Sequence, residues 1–225
     1  IMLAELARPF AADERGVLRQ LYVSLSNVCN ARCTYCDVHD ASPQRGTYSS
    51  ADLARVLGEA RDLGCAMVHF MGGGEPLISR EFLPAAAICA ELGLGVAVTT
   101  NGSHLGARVE AMAETTLLRL VLVSIDSHVP EVHDRIRGVP GLWARAVDGV
   151  AACRRRFPAS LVVLNHVVTA ANIEDVHAFV RWAGSVGANS VNFIPVKDMP
   201  ALAASAEQAA FLVRHRESLQ QTAAD

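Results

Sequence analysis

Six short apolar runs recur along the chain, at residues 21–25, 66–71, 95–99, 118–125, 161–168 and 190–196. They are rich in β-branched residues, and several are nearly continuous rather than alternating, the pattern of parallel strands covered on both faces. Between them the apolar positions return at helical spacing. Ser50 is expected to cap a helix running to Gly64, and Ser79 one ending near Gly93. A helix over 142–156 closes on Arg154, Arg155 and Arg156, where the helix dipole favours cations. Asn172, with Glu174 and Asp175, marks one more helix start, and Gly184 and Gly187 lie near its end. Repeated strand–helix units predict an α/β fold with parallel strands and right-handed crossovers. Six units make a partial (β/α)6 TIM-like barrel, since a full eight-unit barrel typically needs more chain.

Polar, glycine-rich segments follow the strands, at 72–76, 100–102, 126–127 and 197–198. They therefore gather at the C-terminal edge of the sheet, where α/β proteins place their active sites. Residues after Pro200 are Ala-rich and amphipathic, which predicts a C-terminal helix packed on the barrel. The expected organisation is an N-terminal segment over 1–18, a core barrel over 19–198 and a C-terminal helical segment over 199–225. The chain begins with Ile rather than Met, so both ends are provisional.

Composition narrows the function classes. Hydrophobic residues make up 51% of the 225, yet no apolar run approaches the ~20 residues that span a bilayer, so no membrane partner is expected. Net charge is −3, and residues 154–156 form the one basic run, the usual solvated end of a helix; nucleic acid is not expected as an obligatory partner. Six cysteines in a chain of this length do not make a disulfide scaffold. Cys65, Cys89 and Cys153 lie far apart in apolar or helical contexts and read as buried thiols. No secretory signal is visible, so a reducing cytoplasm is the expected compartment.

The remaining cysteines carry the chemistry. Cys29, Cys33 and Cys36 follow the first apolar run with the spacing Cys-x-x-x-Cys-x-x-Cys, and Tyr35 precedes the last. Three thiolates can hold three corners of a cubane iron–sulfur cluster and leave the fourth iron open to another ligand. A structural zinc site with His39 as fourth ligand is one alternative, although closed zinc sites usually pair two short ligand hooks and no second hook exists. Ordinary buried thiols are another.

In spacing and in the aromatic before the last cysteine, the stretch resembles the signature of the radical S-adenosylmethionine (radical SAM) enzymes. Later motifs occur in the order the resemblance requires. Gly72-Gly73-Gly74-Glu75-Pro76 resembles the family's Gly-Gly-Glu-Pro loop, which implies that Gly73, Gly74 and Glu75 belong to the segment binding the SAM amino group. Thr99, Thr100, Asn101 and Gly102 end the third run; they are ordinary turn formers and also a recurring family feature, which marks Thr99 and Asn101 as cofactor-binding candidates. Ser124 and Asp126 share a face by the strand period of two, and family residues here contact the SAM ribose and carboxylate. The stretch 133–138, His-Asp-Arg-Ile-Arg-Gly, resembles that of the branch modifying peptides and natural products. By that resemblance Arg137 pairs with the SAM carboxylate; from the residues alone, an ion pair with Asp134 is an equal reading. One of Asn165 and His166 either faces the cavity or is a satisfied core residue. Asn172 looks like a family feature, but helix capping explains it equally well. His39, His69, His104 and His128 lie near the same edge and are assigned no catalytic role.

The resemblance implies a [4Fe–4S] cluster on Cys29, Cys33 and Cys36, with SAM chelating the open iron. Reductive cleavage of SAM then yields a 5′-deoxyadenosyl radical that abstracts hydrogen from a peptide or small natural-product substrate. It also implies an electron donor such as flavodoxin or ferredoxin. A non-catalytic iron–sulfur or SAM-binding module supporting a partner is the alternative. Many relatives with the His-Asp-x-x-Arg-Gly stretch carry a C-terminal extension with further cysteines for auxiliary clusters. No cysteine follows Cys153 here, so one cluster is expected in this chain.

Overall fold

The computed structural model describes residues 18–38, 48–112 and 114–196. Six strands follow one another in the order of the sequence: β1 Gln20–Val23, β2 Met67–Phe70, β3 Gly95–Thr100, β4 Leu118–Ser124, β5 Leu161–Val168 and β6 Ser190–Pro195. Every adjacent pair is parallel, and among the described residues β1 and β6 are the two edges of one open sheet. The predicted partial (β/α)6 barrel is the observed fold. Its expected C-terminal helix, the N-terminal segment up to residue 17, His39 and residues 197–198 lie outside the described residues.

Helices α1 (Ser50–Asp62), α2 (Phe82–Glu91), α3 (Leu105–Ala111), α4 (Pro130–Arg137), α5 (Leu142–Arg156) and α6 (Val176–Ser185) occupy the crossovers. On α1 the apolar positions Leu53, Leu57 and Ala60 recur at helical spacing, and all three are buried. Two expected caps differ. Ser49, not Ser50, caps α1, because only Ser49 has an acid three residues on to close a capping box with Asp52. Ser79 instead ends a short 3-10 turn over Pro76–Ile78, and α2 starts three residues later without a side-chain cap. The sequence pattern also misses α3 and α4, which are only seven and eight residues long and too short to show a helical period.

Strand register sorts the side chains into two layers. Val98, Val121 and Val162 stand side by side across β3, β4 and β5 on the helix-covered face, and each is fully buried. Phe70, Phe82, Leu164 and Phe179 complete that core, each worth roughly 1.5–3 kcal/mol of burial. The opposite, concave face carries Thr99, Leu122 and Val163 in one row, then Ser124, Asn165 and Asn192 in the next. That face opens at the strand ends onto the cysteine loop.

Candidate active site

The segment from Cys29 to Cys36 makes no regular structure of its own, so its backbone groups must be satisfied by its neighbours. Three later segments each supply a strut. After β2, Glu75 N–H donates to the Val28 carbonyl at 2.9 Å. Gly74 lies so close that a Cβ there would stand 2.3 Å from the same carbonyl oxygen. After β3, Asn101 Nδ2 donates to Asn30 Oδ1 at 2.8 Å, and Asn30 Nδ2 donates to Ser103 Oγ at 2.9 Å. From α4, the terminal carbonyls of Ile136 and Arg137 accept from Thr34 and Arg32 N–H at 2.9 and 3.0 Å.

These struts place Cys29, Cys33 and Cys36 on one wall of an open cleft enclosing about 630 Å³ of empty space, open solvent included. Gly73, Gly74, Glu75, Thr99, Asn101, Ser124 and Arg137 line the same cleft, so it gathers every expected cofactor-binding residue except Asp126. Burial pushes the Cys29 and Cys33 thiols up, and each thiol is further raised by the charges of neighbouring anions, other cysteines among them. A bound iron offsets that cost, since thiolates are stabilised by metal.

The donor set fits a multi-iron cluster better than a single ion. Around one zinc, thiolates ~2.3 Å from the metal must converge on a point. Among the described residues no three Cys, His, Asp or Glu side chains do so. Corners of a cubane stand farther apart. Glu75, the other anion of the wall, is already committed: Oε1 accepts from Thr100 Oγ1 at 2.6 Å and Leu77 N–H at 3.0 Å, and Oε2 from Asn101 N–H at 2.6 Å. Burial raises the Glu75 pKa, and these three donors partly restore it. The three thiols are thus the groups of this wall that could hold a cluster.

Several of the expected cofactor-binding residues also make contacts within the scaffold. Asp126 is 0% exposed, and both its oxygens are occupied by Tyr35, Arg137 and the Val167 N–H. Asn101 ties loops together through Asn30 and Ser103. Asn172 is the N-cap of the 3-10 turn Ile173–Asp175, but its side chain makes no capping bond; its amide donates to the carbonyls of Asp126 and Val167, while its oxygen accepts Thr169 N–H. Arg137 pairs with Asp126 rather than Asp134, whose carboxylate accepts from Gly141 and Trp143 N–H at the start of α5. The groups left open are different. Ser124 Oγ and the peptide groups of Gly73 and Gly74 have no protein partner among the described residues. Thr99 Oγ1 meets His69 Nε2 at 2.8 Å, and burial lowers the His69 pKa, which favours the neutral imidazole.

Adjacent residues on β5 face opposite ways. Asn165 lies on the concave face and accepts from Asn192 Nδ2 at 3.2 Å. His166 is buried on the helix side against Phe179 and Phe193. His104 is exposed beside Ser103, and His128 keeps a buried, unpartnered Nδ1. The sequence marks Tyr35 only as the motif's aromatic and gives no signal for Asn30, since both act through partners 91 and 71 residues away.

Comparison with known proteins agrees with this arrangement. The chain is 27% identical over 162 residues to the AdoMet-dependent heme synthase of Methanosarcina barkeri, covering 71% of this chain and 45% of that protein. It is 36% identical over 134 residues to the GTP 3′,8-cyclase of Synechocystis sp., covering 56% and 40%. Among solved structures, Streptococcus suis SuiB bound to S-adenosylmethionine superposes with a TM-score of 0.73 at 18% identity, over 92% of this chain and 48% of that one. The anSMEcpe structure with bound AdoMet gives 0.66 at 20% identity, over 80% and 52%. The chain therefore spans about half the length of these relatives. No helix among the described residues is long and apolar enough to cross a membrane. Residues 23–183 match the model of the Radical SAM superfamily, and the chain belongs to that family of enzymes, which bind S-adenosylmethionine and a [4Fe–4S] cluster.

Proposed function

We propose that this chain is the catalytic core of a radical SAM enzyme acting on a peptide or a small natural product. The observation that carries the reading is the cleft itself. Three thiols stand on one wall, and the unpartnered peptide groups of Gly73 and Gly74, with the Ser124 hydroxyl, stand around them. Cys29, Cys33 and Cys36 would hold the cluster, which when bound supplies the electron that cleaves SAM and starts hydrogen abstraction.

The residues of this chain bind, orient and exclude water. Gly73 and Gly74 present free carbonyls suited to an ammonium group. Ser124 and Thr99 supply hydroxyls for ribose or carboxylate oxygens, with His69 orienting Thr99 from behind. Leu122 and Val163 lie one row from Ser124 on the same concave face and add apolar surface there, which favours exclusion of water. Glu75, Asn101 and Asp126 support these groups from behind.

The peptide reading draws support from two neighbours of the same fold. One SuiB structure is bound to its precursor peptide SuiA, and an anSMEcpe structure holds the peptide Cp18Cys. An electron donor such as flavodoxin or ferredoxin, acting in the cytoplasm, completes the proposal. The test is anaerobic reconstitution with iron and sulfide, then reduction with SAM present and assay for 5′-deoxyadenosine. Formation of 5′-deoxyadenosine is expected. A sample with a full cluster and bound SAM that forms none would identify a non-catalytic SAM-binding module instead.

A further inference from the structure

Arg137 is placed for a different task from holding SAM. Its side chain is buried, the whole residue 6% exposed, and two of its three nitrogens face Asp126: Nη2 donates to Oδ1 at 3.0 Å, and Nε makes an ion-pair contact with Oδ2 at 2.6 Å outside hydrogen-bonding geometry. The remaining nitrogen, Nη1, is directed at Cys33 Sγ, 3.8 Å away. Asp126 is itself held by three donors of different origin, namely Arg137, Val167 N–H at 2.9 Å and Tyr35 Oη at 2.8 Å. The Tyr35 ring lies under the guanidinium, 5.4 Å from Cζ to its centroid.

The backbone repeats the connection. The two main-chain bonds from Arg32 and Thr34 dock the cysteine loop onto the last turn of α4. Gly138 ends that helix at φ 66°, and a Cβ there would stand 2.4 Å from the Arg32 carbonyl oxygen. The contact between guanidinium and sulfur is therefore fixed from both sides.

We propose that Arg137, oriented by Asp126 and Tyr35, donates an N–H···S bond to the Cys33 thiolate and thereby raises the reduction potential of the cluster held there. The inference rests on the radical SAM reading and assigns these three residues to the cluster rather than to SAM. Adding an electron makes a cluster more negative, so a nearby buried cation stabilises the reduced form more than the oxidised one. Burial keeps solvent and salt from screening the effect. The Arg137–Asp126 pair is close to neutral overall, but its positive end is the one facing sulfur. Arg137 is the residue touching the ligand; Asp126 and Tyr35 are positioning residues.

The experiment is a redox titration of the reconstituted cluster without SAM, followed by EPR, together with iron and sulfide content and a SAM binding isotherm. Arg137→Gln is expected to shift the midpoint to more negative potential while SAM affinity at the assembled cluster is retained. Tyr35→Phe, which frees one oxygen of Asp126, is expected to shift it the same way by less. Arg55→Gln, which removes an equal charge from the exposed face of α1, controls for net charge and should leave the midpoint in place. An unchanged midpoint in Arg137→Gln with SAM binding lost would overturn the proposal in favour of a SAM ligand, and an equal shift in Arg55→Gln would overturn it as well. If Arg137→Gln fails to retain a cluster, Tyr35→Phe decides, and a wild-type midpoint there overturns the proposal. A wild-type chain that assembles no [4Fe–4S] cluster sinks the functional reading instead.

Discussion

Asn101 and Asn30 meet amide to amide at 2.8 Å, joining the end of β3 to the cysteine loop across 71 residues of sequence. The contact makes a turn motif into part of the cluster cradle. Asn101→Ala removes a donor to Asn30 and an acceptor for Ser103 N–H, each worth about 1 kcal/mol. Faster release of iron to a chelator is the expected result, with SAM affinity retained wherever the cluster is intact. Unchanged release with SAM binding lost would make Asn101 a direct ligand of the cofactor.

Neighbouring glycines of one loop should respond in opposite ways. A methyl group on Gly74 meets the carbonyl oxygens of Val28 and Ser26, both backbone atoms that cannot step aside. Gly74→Ala should cost about 1–3 kcal/mol and lower cluster content after reconstitution. At Gly73 a Cβ would find nothing within 4 Å, so Gly73→Ala should assemble a normal cluster. Equal cluster content in the two variants would remove Gly74 from the packing argument.

Cysteine identity separates ligands from core. Cys33→Ala should abolish the visible charge-transfer absorbance and SAM cleavage together, because three thiolates are needed. Cys89 is fully buried in the core away from the cleft, and burial pushes its thiol up to about 12. Cys89→Ala should keep the absorbance and lower the melting temperature only. Survival of activity in Cys33→Ala would contradict the ligand assignment.

Acid should destabilise the fold through two histidines. Burial, with Arg137 adding to it, pushes His133 down to about 4, and burial pushes His166 to the same level. Unfolded histidine titrates at ~6.5, so between these values the unfolded chain binds more protons, and stability falls as pH is lowered through that window. The loss is on the order of 2–3 kcal/mol per ring. Neither nitrogen of His166 has a partner at hydrogen-bonding geometry, although the nearby Ile125 backbone slightly favours its charged form. His166→Phe keeps the packing on Phe179 and Phe193, so it should flatten the pH dependence without loss at neutral pH. Urea midpoints at neutral and mildly acidic pH check this, and an unchanged slope would count against it.

Much of the fold was legible along the chain because its strands are covered on both faces. Near-continuous apolar runs at 118–125 and 161–168 have no other economical explanation, and the observed β4 and β5 lie within one residue of them. The cysteine motif was legible for a related reason. All three cysteines of the motif come from one short segment, so their spacing is written in the chain itself.

What the sequence by itself determined is the order of strands and helices, the cluster motif and the edge at which the loops meet. Only the tertiary structure decided which polar groups are held by protein partners and which are left open to the cleft. Asp126, Glu75 and Asn101 are marked by motif, and each also makes a hydrogen bond to a protein group between 11 and 91 residues away. Asn165 and His166 are neighbours with opposite destinations, concave face and core, because strand register assigns the face. Hydrogen-bonding capacity is a property of the residue. Its partner depends on which distant segments the packed helices bring within about 3 Å, and an eight-residue element such as α4 is too short for the chain pattern to announce where it docks.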